Sequence, residues 1–516
     1  MAKRLNLPVT LWRLIAAVLG GLLAGPALPR PGIWVLIFPA VALLLWSVRG
    51  TSLLGAFGIG LVGGITFYAA QSPWLTAYLG PVPWLALATL EGLLFAVGMM
   101  ATSAGWRLST RLRLSNGLRT VVTALALASS WTAREYLSGH WPYGGYQWSR
   151  LAQTQADTWF GNWGYWLGLS GITFMVAFMA SVGLLLVLER RPPKVTPTLA
   201  LMLAVAIPAL TTVPTAGNGQ TLKVAAVQGN ANAGLFANPV PGSILAKHLR
   251  ETAKLARDPK FAGVQLVVWP ENASDLDPMH NSLARSDLAT LVNKTLKRDL
   301  VIGGVTYRGN DAFNSTLLLR PNRGIVDWYD KVRPVPFAEY VPDRDFWYQL
   351  APDLIGLISH GFTFGTRDGI FETNGIKAGT LICFEIAIDD VVGGLVHGGA
   401  QIILSQANNS DFGHTDETFQ QEALARLQAI ATGRSIVHVS TVGVTELILP
   451  NGKVVERLTP FTRGHLIGEL PLSSATTPAM GIGNNFDYLN LLALIALLVF
   501  GWLRHRKIRA SIQDIP

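Results

Sequence analysis

The chain has one cysteine, Cys383, in 516 residues. An internal disulfide is therefore excluded, and so is a thiolate-built zinc or iron–sulfur site, since no His/Cys cluster accompanies it. Charge is scarce as well. Asp, Glu, Lys and Arg make up 14% of the residues and hydrophobic types 50%, whereas soluble domains carry about 25% charged residues. No glycine-rich dinucleotide loop, tandem repeat or low-complexity tract is present. The deficit of charge points to a membrane protein, and the length allows roughly two to four domains.

What is present are long apolar runs. A helix needs about 20 apolar residues to cross a bilayer core, and the pattern predicts spans at 14–27, 34–48, 53–70, 82–104, 121–137, 167–188, 199–213 and 488–503. Basic residues test that count, because cytoplasmic segments are enriched in Lys and Arg. They fall at Lys3, Arg4 and Arg13, at Arg49, at Arg107, Arg111, Arg113 and Arg119, at Arg190, Arg191 and Lys194, and in the basic tail 504–516, whereas the segment 71–81 between two spans has no charge. The alternation predicts a seven-span domain over 1–215, cytoplasmic termini and an extracytoplasmic segment before the last span. The first span reads as an uncleaved anchor. The formal charge of +9 then reflects topology rather than nucleic-acid binding. Glu91 lies well inside the fourth span, with Arg134 and Glu135 near the end of the fifth; one isolated carboxylate is thin support for a transport pathway.

Residues 220–472 have a different texture. Strand-like runs at 222–228, 264–269, 300–307, 315–319, 376–382, 402–404, 436–441 and 446–449 alternate with helical patterns at 243–257, 281–298, 386–397 and 416–432. That length suffices for one α/β core.

Three segments within it carry chemistry. Cys383 ends an apolar strand and precedes a helical pattern, in Gly379-Thr-Leu-Ile-Cys383-Phe-Glu385. Such a turn exposes a nucleophile beside helix N-terminal N–H groups that favour the thiolate; a lone cysteine is otherwise a small buried hydrophobe. Glu271 follows a second apolar strand in Leu266-Val-Val-Trp-Pro-Glu271, as a helix cap or a buried acid. Lys331 stands in Trp328-Tyr-Asp-Lys331-Val-Arg-Pro-Val-Pro-Phe-Ala-Glu339-Tyr-Val-Pro342, where prolines and aromatics suit a fixed surface. A carboxylate can take a thiol proton and return it, and an ammonium can stabilise an oxyanion.

In order, these segments resemble the Glu–Lys–Cys triad of the nitrilase superfamily. Together with Val227-Gln-Gly-Asn230, Trp269-Pro-Glu271, Tyr329-x-Lys331, Cys383-Phe-Glu385, the segment Ala425-Arg426 to Gly433-Arg434 and the membrane context, the chain is similar to the apolipoprotein N-acyltransferases over nearly its whole length. The resemblance implies a membrane domain of about eight transmembrane helices plus an extracytoplasmic nitrilase-like αββα sandwich at 220–472. It implies ping-pong transfer of a fatty acyl chain from a phospholipid, typically phosphatidylethanolamine, to the α-amino group of a diacylglyceryl-cysteine lipoprotein. The enzyme would be a monomer in the cytoplasmic membrane, with no cofactor, metal or nucleic-acid partner. Glu271 would be the general base, Lys331 the oxyanion stabiliser and Cys383 the nucleophile. Phe384 would offer its N–H to the oxyanion, and Glu339 and Glu385 would orient the triad. Trp269, Phe337, Asn408, Asn409 and Phe412 would lie toward substrate. Between Lys331 and Cys383, the apolar run 343–361 reads as core or as a lipid-facing lid. Trp141, Tyr143, Tyr146, Trp148, Trp159, Phe160, Trp163 and Trp166 suit an interfacial aromatic belt.

The chain departs from the family pattern in the loop 405–413, at Gln428 and Ala431, and at Ala338, which puts acceptor specificity in question. Two alternatives stay open: a membrane-tethered hydrolase giving the thioester to water, and a weakly active or non-catalytic lipoprotein-binding paralogue.

Overall fold

Long apolar runs without two-residue alternation can satisfy their backbone groups in lipid only as helices, and such helices make up the first of two units. The computed structural model describes residues 7–513 apart from 110–112, 189–205, 207, 209, 216, 235–236, 238–239 and 359–360. Its units are Met1–Thr211 with Ile482–Pro516, and Thr212–Gly481.

The first unit contains α1 (Leu7–Ala27), α2 (Ile37–Ser47), α3 (Leu53–Gln71), α4 (Pro81–Ser109), α5 (Asn116–His140), α6 (Trp163–Leu188) and a final helix, Asn485–Gln513. Among the described residues, five stretches are long and apolar enough to cross a membrane: Val9–Ala27, Leu53–Gln71, Pro81–Leu108, Trp159–Leu188 and Asn485–Leu503. Trp34–Ser47 is a shorter apolar helix. The span expected at 199–213 falls largely outside the described residues.

The span expected at 121–137 lies within α5, which is long enough to cross but carries internal charge. Arg134 donates to the Tyr68 hydroxyl at 2.6 Å and lies 4.5 Å from the Trp131 ring and 4.6 Å from the Phe95 ring. Glu135 accepts from Thr173 at 2.6 Å and pairs with Arg150 at 3.4 Å. Buried ions in such a helix need partners of this kind. Small residues let α3 and α4 touch: a Cβ on Gly64 would lie 2.9 Å from Gly92 Cα, and one on Gly60 would lie 2.7 Å from Met99 Cβ. The aromatic segment divides. Trp148, Phe160 and Trp163 are buried, whereas Trp141, Tyr143 and Trp159 are exposed, so the expected belt narrows to the latter group.

The second unit is built on alternation. Its strands are β1 (Thr221–Gln228), β2 (Leu266–Val268), β3 (Asp299–Arg308), β4 (Asp311–Arg320), β5 (Gly324–Asp330), β6 (Ile370–Thr373), β7 (Ile376–Ile382), β8 (Ile402–Ala407), β9 (Ser435–Ser440), β10 (Thr445–Ile448), β11 (Val454–Leu458) and β12 (Gly464–Pro471). They form two six-stranded sheets, ordered β12-β1-β2-β3-β4-β5 and β11-β10-β9-β8-β7-β6. In β1, Val224 and Ala226 face the other sheet, meeting Ile382, Leu404 and Val439. Ala225 and Val227 point the opposite way, into a second core with Leu245, Leu255 and Leu288. That two-residue period puts sheet against sheet and helices outside. The outer helices are α7 (Ser243–Leu255) and α8 (Ser282–Thr290) on the first sheet, and α11 (Asp389–His397) and α12 (Glu417–Thr432), which pack on β7 and β9. The short helices α9 (Arg344–Leu350) and α10 (Pro352–Gly356) lie between β5 and β6 in the chain.

Each sheet has a parallel centre, β1-β2-β3 and β7-β8-β9, and open α/β sheets present their chemistry at the carboxyl ends of such strands. At the end of β2 the chain crosses β3 closely. Gly303 N donates to Pro270 O at 3.1 Å, and a Cβ there would meet Pro270 O at 2.5 Å and Glu271 Cα at 2.6 Å. Both contacts are to backbone, so neither can yield cheaply. Gly303→Ala is expected to destabilise the unit by about 1–3 kcal/mol and to displace Glu271, read as a lower thermal midpoint in detergent.

Candidate active site

Three strand ends bring the predicted triad together. Lys331 directly follows β5, and Cys383 directly follows β7. Glu271 follows β2 by the Trp269-Pro270 extension, in which Trp269 N still donates to Val301 O at 2.8 Å. Cys383 has φ +54°. A non-glycine residue in that left-handed region costs about 1–2 kcal/mol, a strain that re-aims the side chain from the end of a strand and is typical of functional positions.

Lys331 Nζ lies 2.8 Å from Glu339 Oε2 and 4.0 Å from Glu271 Oε1. Asn314 of β4 holds the two carboxylates together: its Nδ2 donates to Glu271 Oε1 at 2.7 Å and to Glu339 Oε1 at 2.9 Å. Glu339 Oε2 also accepts from Val335 N at 2.7 Å. Glu271 Oε2 is buried and, among the described residues, has no partner of ordinary hydrogen-bond geometry, while the Cys383 thiol is close enough to lower the carboxyl's pKa, so this oxygen is open to receive a proton.

The electrostatics divide the labour. Burial is the largest influence on the Glu271 carboxyl; Lys331 pulls it down, Glu339 pushes it up, and the balance leaves it at about 7. A base poised there is suited to neutral pH. Burial works against the Lys331 ammonium, but Glu339 and then Glu271 outweigh it and hold its pKa above the usual lysine value. Lys331 therefore stays charged. Burial and then Glu271 push the Cys383 thiol well above its ordinary value, against Lys331. The resting pair is a thiol beside a carboxylate able to take its proton.

Glu385 joins the two sheets' strand ends. Its Oε1 accepts from Tyr329 OH at 2.9 Å, Val332 N at 2.8 Å and Arg333 N at 3.1 Å, and its Oε2 accepts from Ile382 N at 2.8 Å. The carboxylate thus ties the residues on either side of Lys331 to the residue before Cys383. Burial raises its pKa, opposed by Lys331 and these donors.

The residues expected toward substrate divide. Trp269 is wholly buried; its Nε1 donates to Thr252 Oγ1 at 2.9 Å and its ring lies 5.4 Å from that of His248. It supports the site from the core. Asn409 is wholly buried too, with its Nδ2 on Glu417 Oε2 at 2.7 Å and Gln421 Oε1 at 2.9 Å. Asn408 donates to Ala233 O at 2.7 Å, which fixes its loop. Phe337, at φ +60°, packs edge-on against Trp347 at 5.3 Å, and both it and Phe412 remain half-buried. Gln428 donates to Asp389 at 2.9 Å and Ala431 is buried, so these departures lie in the packing of α12. Among the described residues, no cluster of three or more His, Cys, Asp or Glu has the arrangement of a metal site.

Sequence reasoning missed Asn314 and Gln421, whose Nε2 lies 3.5 Å from Cys383 Sγ. The signal for Asn314 is an amide leading into the buried run Ser315–Leu319 of β4. Gln421 is four residues from Glu417, on the same helix face.

Residues 223–478 match the carbon-nitrogen hydrolase family, which defines the class of the α/β unit. Residues 20–182 match the N-terminal domain of the apolipoprotein N-acyltransferases. Curated relatives bear that name, among them the following three. The one from Mycolicibacterium smegmatis is 29% identical over 96% of this chain and 86% of its own length. That from Azotobacter vinelandii is 29% identical over 93% and 92%, and that from Pseudomonas syringae pv. tomato is 28% identical over 95% and 96%. The chain belongs to the apolipoprotein N-acyltransferase family and is an integral membrane protein.

Two outcomes follow from this geometry. The rate of Cys383 acylation should rise with pH through about 7 as Glu271 loses its proton, and Glu271→Gln should abolish both the rate and its pH dependence; single-turnover kinetics from pH 5.5 to 8.5 read this. Glu385→Ala leaves three backbone N–H groups without their acceptor. It should cost roughly 3 kcal/mol or more, since each buried unsatisfied group costs about 1–3 kcal/mol, and should slow acylation while the Cys383 thiol remains titratable.

Proposed function

We propose that the protein moves a fatty acyl chain from a phospholipid through a Cys383 thioester to the terminal amine of a diacylglyceryl-cysteine lipoprotein. The observation that best supports this is the buried Glu271–Lys331–Cys383 arrangement, in a chain whose relatives are named for N-acylation of apolipoproteins. The thiol of Cys383 attacks the donor's ester carbonyl as its proton passes to Glu271. The Lys331 ammonium, with the Phe384 N–H, stabilises the tetrahedral oxyanion. Collapse breaks the ester C–O bond, Glu271 returns the proton to the leaving alkoxide, and the lysophospholipid departs. The acceptor amine then attacks the thioester and gives a proton to Glu271. The C–S bond breaks, the thiolate is reprotonated and an amide is released.

The apolar run after Lys331 supports lipid substrates. Phe346, Tyr348, Leu350 and Leu357 are 50–65% exposed, so they are not core, and apolar side chains so exposed suit contact with acyl chains. Phosphatidylethanolamine is the donor to try first. The alternation of basic segments supports a multi-pass arrangement in the cytoplasmic membrane, with seven crossings before residue 215, one at 488–503, both termini cytoplasmic and the α/β unit extracytoplasmic.

The test is the intact mass of the purified protein in detergent after incubation with phosphatidylethanolamine. An added acyl mass, lost in neutral hydroxylamine and missing from Cys383→Ala, is expected; a diacylglyceryl lipopeptide should discharge it as an amide. Lys331→Met should slow its formation by about a hundredfold or more. Lysophospholipid accumulating with free fatty acid, and no amide, would instead identify a hydrolase. No adduct with any phospholipid would identify a non-catalytic binder.

A further inference from the structure

The reacting sulfur has a polar neighbour on α12 that the mechanism above leaves unused. Gln421 Nε2 lies 3.5 Å from Cys383 Sγ. Which end of that amide faces the sulfur is decided by a chain of hydrogen bonds beginning at the backbone. Gly443 N donates to Ser440 Oγ and Val444 N donates to Thr418 Oγ1, each at 2.9 Å. Both hydroxyls thereby spend acceptor capacity on the backbone and turn their protons to Asn409 Oδ1. With its oxygen so engaged, Asn409 presents Nδ2 to Glu417 Oε2 at 2.7 Å and to Gln421 Oε1 at 2.9 Å. Gln421 Oε1 is thus held away from the sulfur, and Nε2 is turned toward it. Asn409, Gln421, Glu417, Thr418 and Ser440 are all at most 3% exposed, so bulk solvent does not compete for these donors and acceptors.

We propose that Gln421 is a further catalytic residue: its amide N–H donates to the Cys383 sulfur as negative charge gathers there, and the Ser440/Thr418–Asn409 chain locks the amide in that sense. The proposal rests on the acyl-transfer reading only for the identity of the reaction. A neutral thiol is a weak acceptor, and a thiolate is a much stronger one. The contact therefore strengthens when the thiol proton leaves for Glu271, and again when the C–S bond of the thioester breaks. Interactions that grow along the reaction coordinate accelerate it, whereas those present throughout do not. The need for a donor follows from the surroundings. Glu271 and Glu339 oppose an anion at Cys383, and Lys331 is the one cation acting against them among its principal influences. Burial keeps the Glu417 carboxyl at about 8, so near neutral pH it is mostly protonated and adds little further negative charge.

Because Cys383 is the sole cysteine, its alkylation by iodoacetamide can be followed on the full-length protein in detergent without ambiguity. Gln421→Leu removes the N–H at nearly constant volume, and Gln421→Glu presents an acceptor at the same place. Gln421→Leu should raise the apparent thiol pKa by about one unit and slow alkylation below that pKa roughly tenfold, the scale of one net hydrogen bond to a charged atom. Gln421→Glu should shift it further in the same direction. Thermal unfolding is recorded for both, and whichever retains the parent midpoint carries the test. A retained midpoint with an unchanged alkylation profile would overturn the proposal, because a merely structural role leaves the thiol pKa where it was. If the parent protein alkylates normally but is never acylated by any phospholipid, the acyl-transfer reading fails, and the shift between parent and variant still decides the role of Gln421.

Discussion

The Glu385 carboxylate is the constraint on which the site depends. Cys383 belongs to one sheet and Lys331 to the other, and the apolar packing between sheets fixes their separation only loosely, because hydrophobic contact has no direction. Directional bonds do what burial cannot. Four donors from residues 329–333 and 382 converge on one buried carboxylate, so the segment bearing Lys331 cannot slide along the strand end bearing Cys383 without leaving N–H groups unpaired. A buried anion is justified energetically when its hydrogen bonds are filled, and here two oxygens take four.

Around that tie, the charges do not cancel, and the imbalance is functional. Lys331 is shared between Glu339 and Glu271, closer to the first by more than an ångström. The nearer carboxylate neutralises the ammonium and anchors it. The farther one is left under-compensated, and burial lifts it to about 7. Asn314 prevents the two carboxylates from parting by donating to both. A structure with one carboxylate would hold Lys331 equally well and would have no base, and one without Lys331 would have no counter-charge for the oxyanion. In the proposed reaction, the same three groups would set the base and the electrophilic pole at once.

How much of this could be read from the chain depends on where each signal resides. The eight strands anticipated from apolar runs are the ones inside the sheets. The four that were missed, β5, β6, β11 and β12, are the four edges. An edge strand is covered on fewer sides and tolerates charge, as in Val454-Val-Glu-Arg-Leu458, so its hydrophobic pattern fades. Glu271 and Cys383 could be picked out because each follows an apolar strand that the sequence shows, and Lys331 because of the proline- and aromatic-rich motif after it, since its own strand, β5, was not anticipated. Glu385 and Glu339 were legible as neighbours in those motifs. Asn314 and Gln421 were not picked out, since an amide before a buried run or one helical turn from an acid is a weak local signal; their contacts exist only after folding brings β4 and α12 to the strand ends. Trp269 continues the face of Val267 and packs with it in the outer core, a burial that the sequence motif around Glu271 does not reveal.

The triad does not decide the fate of the acyl group. In the proposed reaction a Glu, a Lys and a Cys in this geometry would form a thioester, and the thioester itself would not distinguish water from an amine. Selection must come from what reaches the carbonyl carbon. Glu271 Oε2 is enclosed, so a nucleophile must come close enough to that oxygen to lose its proton, and the entering group displaces whatever water was there. A lipid-borne amine arrives with apolar chains worth about 0.8 kcal/mol per buried CH₂, and the exposed aromatic and aliphatic side chains of α9 and α10 are a surface on which that energy can be realised. Binding energy from parts of a substrate remote from the reacting atoms can then position the amine and exclude water. In this chain, transfer rather than hydrolysis would be a property of the apolar surface after Lys331 and not of the three residues that carry out the chemistry.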